Sequence, residues 1–189
     1  MTDALEFQYE TNAHVNRITE RILDCVESIS IEFDGYERPE LKGPGFYVAI
    51  VTGRSVAGYA DPMGTNRWPV ETCANVEADT DLFYEAATEV ATSRDGGIVV
   101  GVDGTILEQM VRFRNVTDHD LPADVTLEDI DYAGWMGARH MSAYEISLRE
   151  EVVTTITLSE ETGRVTTFRN GQYETMTREE VGRPWRAVE

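Results

Sequence analysis

Val15, Ile18, Ile22, Val26 and Ile29 recur every three or four positions, the spacing that lines apolar side chains along one face of a helix, with Thr11 or Asn12 ahead of them as an N-cap. An amphipathic helix over 13–30 is predicted. The period then changes. Phe46 to Val51 is an unbroken apolar run bounded by Gly43, Pro44 and Gly53, which fits a buried strand. Leu82, Phe83, Ala86, Ala87, Val90 and Ala91 return to helical spacing, and Asp95-Gly96-Gly97 then leads directly into the β-prone Ile98-Val99-Val100. Asp103-Gly104 signals a tight hairpin between that strand and the next, about Thr105 to Arg114, where Val111 and Phe113 alternate with Arg112 and Arg114.

Further on, Thr126 with Asp129 resembles a capping arrangement for a short helix ending near Trp135. After Gly137 a helix is expected to run to about Glu150, with Met141, Tyr144 and Leu148 on one side. Val152 to Leu158 and Val165 to Phe168 are β-prone strands with Glu161-Thr162-Gly163 turning between them, and Asn170-Gly171 supplies another hairpin turn. Residues 53–79 carry Gly58, Pro62, Gly64 and Pro69 without clear periodicity and read as mostly loop with one or two short strands. This order of elements predicts an α/β fold, a central mixed β-sheet flanked by helices, with all 189 residues forming one domain.

Charge sharpens the picture. Thirty-five acidic residues stand against 16 basic ones, of which Lys42 is the only lysine, for a net charge of −19. Such a surface repels DNA, RNA and anionic membranes, so neither nucleic acid nor membrane is expected as a partner. The acids are spread along the chain, which suits adaptation to multimolar salt, where the Debye length falls to about 3 Å; an ordinary acidic protein is the plainer alternative. In high salt, long-range steering is weak, and an anionic substrate must be held by a metal and close hydrogen bonds. Cys25 and Cys73 have no C-x-x-C spacing and are expected to be reduced. Met1 to Glu10 lacks a basic segment followed by an apolar one, and no apolar run approaches bilayer length. A cytoplasmic protein is expected.

Three short blocks carry candidate chemistry. In Gly137-Ala138-Arg139-His140-Met141-Ser142-Ala143, an Arg-His pair stands at a loop-to-helix junction, where unpaired helix N–H groups and cationic side chains together suit phosphate. A cation there conflicts with the positive helix end, and a bound anion would relieve the conflict; a surface arginine paired with an acid is the competing reading. Asp95 precedes two glycines that let backbone N–H groups approach a ligand, and its carboxylate suits Mg²⁺ or Mn²⁺ beside phosphate, although a plain turn into a strand reads the same way. Glu160 and Glu161, in Ser159-Glu160-Glu161-Thr162-Gly163, are by themselves ordinary turn residues.

Taken together, the blocks resemble the catalytic domain of the DisA-type diadenylate cyclases, which condense two ATP into cyclic di-AMP. Asp95-Gly96-Gly97 stands against the family's Asp-Gly-Ala, Gly137-Ala138-Arg139-His140-Met141 against Gly-Thr-Arg-His-Arg, and Ser159-Glu160-Glu161-Thr162-Gly163 against an identical stretch in many members. The resemblance covers about residues 95–171. It implies a homodimer or larger homo-oligomer, two subunits face to face with one ATP each, and attack of each ribose 3′-hydroxyl on the opposite α-phosphate with release of pyrophosphate. It further implies that Asp95 binds Mg²⁺ or Mn²⁺ and helps activate the hydroxyl, that Arg139 and His140 hold phosphates, and that Glu161 lies at a second metal position. Gly96, Gly97, Gly137, Ala138, Ser142, Ser159 and Glu160 are placed beside the nucleotide, and Phe113 near the adenine. Three departures stand out: Ala138 for threonine, Met141 for arginine, and Arg94 where many members carry histidine. The resulting expectation is an active cyclase of a haloarchaeal branch. Two alternatives are a catalytically weak or silent module that binds ATP or cyclic di-AMP, and an acidic scaffold for protein partners.

Overall fold

A computed structural model of the chain describes residues 9–36, 43–53, 55–121 and 125–181. Asn12, not Thr11, caps the first helix, α1 (Ala13–Ile31), accepting hydrogen bonds from the His14 and Val15 amides at 2.9 and 3.2 Å. The predicted stripe is its buried face: Ile18, Ile22, Val26 and Ile29 are wholly removed from solvent, each stabilising the fold by about 1.5–3 kcal/mol. Strand β1 (Phe46–Val51) is buried at all six positions because it is covered on both sides. Phe46, Val48 and Ile50 join the cluster under α1, while Tyr47, Ala49 and Val51 join a second cluster on the opposite face.

The chain continues through β2 (Ala60–Arg67), α2 (Thr80–Ser93), β3 (Ile98–Gly101), β4 (Gln109–Phe113), α3 (Ala138–Ile146), β5 (Val152–Leu158), β6 (Val165–Arg169) and β7 (Gln172–Met176). Five strands form the central sheet in the order β3-β1-β5-β6-β7. It is mixed, as expected: β1 runs parallel to β3, with Val48 opposite Ile98, and the other pairings are antiparallel. Helices α1 and α2 cover one face. On the other, α3 is pinned by the Thr155 hydroxyl, which donates to the Ala143 carbonyl at 2.8 Å, and the β2–β4 pair forms a separate two-stranded sheet beside it.

Three segments depart from their local sequence pattern. The Asp103-Gly104 turn does fold the chain back, but the ladder slips: Val100 faces Ile106 and Gly97 faces Val111 only as isolated bridges. Residues 74–76 capture the chain just after the turn, with the Ile106 amide donating to Ala74 and the Val76 amide to Gly104, so the regular strand β4 begins only at Gln109 and pairs with β2. The Thr126–Asp129 box is made, both the Thr126 amide and its hydroxyl donating to Asp129 Oδ2 at 2.8 and 2.7 Å. It closes a single 3₁₀ turn over Leu127–Asp129, not a helix reaching Trp135; Leu127 is exposed, so the segment has no apolar face to dock. Helix α3 stops at Ile146, short of Glu150. There Ser147 takes over: its carbonyl and its hydroxyl accept from the Asn170 and Gly171 amides of the β6–β7 turn.

Among the described residues, no helix is long and apolar enough to cross a membrane.

Candidate functional site

Asp95-Gly96-Gly97 lies where α2 ends and β3 begins, and each glycine is there because another group comes too close for a side chain. A Cβ on Gly96 would sit 3.0 Å from Met63 and 3.1 Å from the Val111 carbonyl, and φ of +109° would disfavour it further. On Gly97 it would fall 2.5 Å from the Phe113 ring. The backbone is clamped at that distance by paired hydrogen bonds between Gly97 and Val111, 2.6 and 2.9 Å. Asp95 is thereby held at the edge of a depression. Its Oδ1 accepts from the Gly96 amide at 2.8 Å, and its side chain is otherwise largely exposed.

The facing wall is the start of α3. Gly137 occupies the N-cap with no side chain to satisfy the first-turn amides, which leaves the positive helix end open to an anion. Arg139 projects across the depression, its guanidinium 3.7 Å from Asp95 and 3.4 Å from Glu160. Gly45 makes room for it, since a Cβ there would lie 2.6 Å from Arg139 Nη1. His140 is buried, packs edge-on to Trp135 at 5.1 Å, and leaves its Nε2 without a hydrogen-bond partner. Burial, reinforced by Arg139 and Arg164, lowers its pKa from 6.5 to about 4, so the imidazole is neutral near pH 7. One turn further, Ser142 shares a 3.4 Å hydrogen bond with the buried Tyr47 hydroxyl.

The third wall is the turn between β5 and β6. Ser159 Oγ accepts from the Glu161 and Thr162 amides at 3.4 and 3.3 Å, and Gly163, at φ +66°, closes the turn by donating to the Ser159 carbonyl. Glu160, Glu161 and Thr162 rim the depression, and the Arg164 guanidinium lies 4.6 Å from the centre of the Trp135 ring.

Together the three walls enclose a cavity of about 500 Å³. Asp95, Gly96, Gly97, Phe113, Gly137, Ala138, Arg139, His140, Ser142, Ser159, Glu160 and Glu161 all line it, so the twelve candidate site residues reach one cleft. Tyr47, Met63, Val111, Arg112, Trp135, Thr162 and Arg164 line it as well and were missed. Trp135 and Arg164 were within reach of inspection, since each stands within two residues of a motif block; Met63 lies in the aperiodic segment, where nothing marked it. Two of the departures fall outside the lining. Arg94 is paired with Glu89 at 2.9 Å, and Met141 packs against the hydrophobic cluster beneath α3.

Asp95, Glu160 and Glu161 are balanced in the lining by Arg112, Arg139 and Arg164, an even balance in a chain of net charge −19. Among the described residues no three His, Cys, Asp or Glu side chains gather as a metal cage. Carboxylates at the rim of an open cleft nevertheless fit a hard ion that takes one or two protein oxygens and completes its shell from phosphates and water, as Mg²⁺ does.

No family model matches the chain, and no curated protein sequence does. Solved structures do. A protein from Bacillus cereus, described as a hypothetical membrane spanning protein, superposes with a TM-score of 0.54 at 15% identity over 84% of this chain and 63% of the other. A double cysteine mutant of DacA from Staphylococcus aureus superposes with a TM-score of 0.50 at 15% identity over 87% and 89%. The likeness is one of fold. The chain spans less than two thirds of the Bacillus protein's length.

Proposed function

We propose that this chain is a diadenylate cyclase, a nucleotidyltransferase that condenses two ATP into cyclic di-AMP and two pyrophosphates. One observation carries the reading: the Asp95 carboxylate and the Arg139 guanidinium, distant in sequence, meet 3.7 Å apart in a cleft that the other motif residues complete. The fold shared with DacA, a diadenylate cyclase, supports it.

In this reading the α-phosphate of ATP rests against the open first turn of α3, where unpaired amides and Arg139 stabilise the charge that builds as the 3′-oxygen–phosphorus bond forms and the bond to pyrophosphate breaks. Neutral His140, whose unpartnered Nε2 is closed to solvent just beneath the cleft surface, would donate an N–H to a phosphate oxygen once the ring beside it yields. Asp95 accepts a hydrogen bond from the incoming ribose hydroxyl, orients it and takes up its proton as the new bond forms. Phe113, tilted at 50° to Tyr47 with ring centres 5.1 Å apart, offers the adenine an apolar wall. Asp95 and Glu161 would hold Mg²⁺ or Mn²⁺, which when bound supplies Lewis-acid neutralisation of phosphate charge. One cleft holds one ATP, so turnover needs a second copy presenting its nucleotide to the exposed Asp95, in a homodimer or larger assembly. The setting we infer is a salt-rich cytoplasm, with residues 1–189 acting as one domain.

A second reading, a nucleotide-binding module without turnover, is favoured by Ala138, which brings a methyl where a hydroxyl would reach phosphate. Incubation with ATP and Mn²⁺ at low and at multimolar salt, followed by mass spectrometry, separates the two. Cyclic di-AMP is expected. Bound nucleotide without product would favour the module, and no nucleotide binding would remove both. Asp95→Asn is expected to abolish synthesis with an unchanged circular dichroism spectrum, since it removes charge at nearly constant volume; undiminished turnover would contradict the role given to this carboxylate.

A further inference from the structure

Among the described residues, Arg164 is the arginine of the cleft with no carboxylate within ion-pair distance. Arg139 lies between Asp95 and Glu160, and Arg112 is 3.9 Å from Asp61. Arg164 makes no ion pair among the described residues; its guanidinium rests over the Trp135 ring instead. That choice is unexpected where acids outnumber bases by more than two to one. A guanidinium lying on an aromatic face keeps its N–H edge free, the edge that matches two oxygens of a phosphate. Trp135 also packs against His140, whose unpartnered Nε2 lies in a side chain 94% removed from solvent. Arg164 and His140 thus flank one indole at the cleft, the arginine with a free N–H edge and the histidine with an unpartnered Nε2 just beneath the surface.

We infer that Arg164, seated on Trp135, is a phosphate-binding residue that holds the part of a nucleoside triphosphate beyond its α-phosphate. The inference rests on the nucleotide reading of the cleft. There the α-phosphate must lie near Asp95, which Arg139 shares, and the remaining charge of the polyphosphate needs a cation that the acids have not neutralised. Position 141 does not supply it, because the methionine there carries no charge and packs, partly buried, against the hydrophobic cluster. The β5–β6 turn brings the charge from the opposite wall.

The test is calorimetric titration of ATP, pyrophosphate and AMP, each with Mg²⁺, into the wild-type chain, Arg164→Gln and Arg164→Lys. Loss of a charge-assisted hydrogen bond should weaken ATP and pyrophosphate about tenfold to a hundredfold in Arg164→Gln, with AMP unchanged. Arg164→Lys should recover part of the loss, because it restores charge without the planar fork. Equal weakening of ATP and AMP would assign Arg164 a structural role through Trp135 and overturn the inference. So would a variant that binds ATP as tightly as the wild type, with the nucleotide reading left standing. If the wild-type chain itself binds none of the three ligands, the nucleotide reading fails and takes this inference with it.

Discussion

The two faces of the central sheet solve different problems with the same strand. On the face under α1 and α2, β1 contributes Phe46, Val48 and Ile50 to a closed core of aliphatic side chains. Across the strand, Tyr47, Ala49 and Val51 meet aromatic rings, a buried histidine and a helix whose first turn is uncapped. The first face is covered by two helices of 19 and 14 residues, the second by a helix of nine residues and a two-stranded ribbon. Incomplete cover leaves the cleft. Stability is concentrated where packing is continuous, and chemistry where the cover falls short and loops bring polar groups to the gap.

If that division holds, damage to the closed face should cost stability without altering the cleft. Ile22 is fully buried under α1 and lines no part of the cavity. Ile22→Ala should therefore lower unfolding free energy by about 2–5 kcal/mol, read from the urea midpoint, through lost transfer energy and the void left behind. ATP affinity of the folded variant, measured well below its midpoint, should stay within twofold. A tenfold loss of affinity would mean that the two faces are coupled through β1.

The division also explains what could be read from the chain. The aliphatic face is periodic: Val15, Ile18, Ile22, Val26 and Ile29 announce α1 by spacing alone, and the mixed sheet follows from the run at Phe46 to Val51 and the β-branched Val152 to Leu158. The cleft obeys no period. Eleven of its twelve expected residues cluster in three short blocks whose order resembles a known family, Phe113 standing apart on the strand between two of them, and the structure places all twelve around one cavity. Met63 could not be found that way. It reaches the cleft because β2 pairs with β4, a long-range choice made after residues 74–76 capture the chain beyond Gly104, and no local signal in residues 53–79 encodes it. Trp135 escaped for a related reason, since the capping pattern at Thr126 predicted a helix around it where the chain instead runs irregularly into the cleft.

Acid should probe the open face selectively. His140 is held neutral with its pKa lowered from 6.5 to about 4, so between those values the unfolded chain binds the proton and the folded chain resists it. Stability from this group is complete above pH 6.5 and declines as pH falls toward about 4, by at most about 3 kcal/mol. Chemical denaturation of the wild type against His140→Gln over that window should show the steeper decline in the wild type. Parallel curves would mean that the imidazole is solvated and its environment misjudged.

Gly97→Ala tests the boundary between the faces, at a cost of about 1–3 kcal/mol for overpacking. The added methyl would stand 2.5 Å from the Phe113 ring. The backbone cannot retreat, because the Gly97–Val111 pair fixes it at 2.6 and 2.9 Å. Phe113 must move, and Tyr47 and Tyr59 lie beside it with ring centres 5.1 and 6.4 Å away, so the displaced ring enters the cavity. Nucleotide affinity should then fall more than the stability change alone would suggest, and adenosine should lose as much as ATP, because the apolar wall and not the phosphate groups has shifted. If affinity for both is unchanged while stability drops, Phe113 belongs to the core and the adenine wall must be sought elsewhere in the lining.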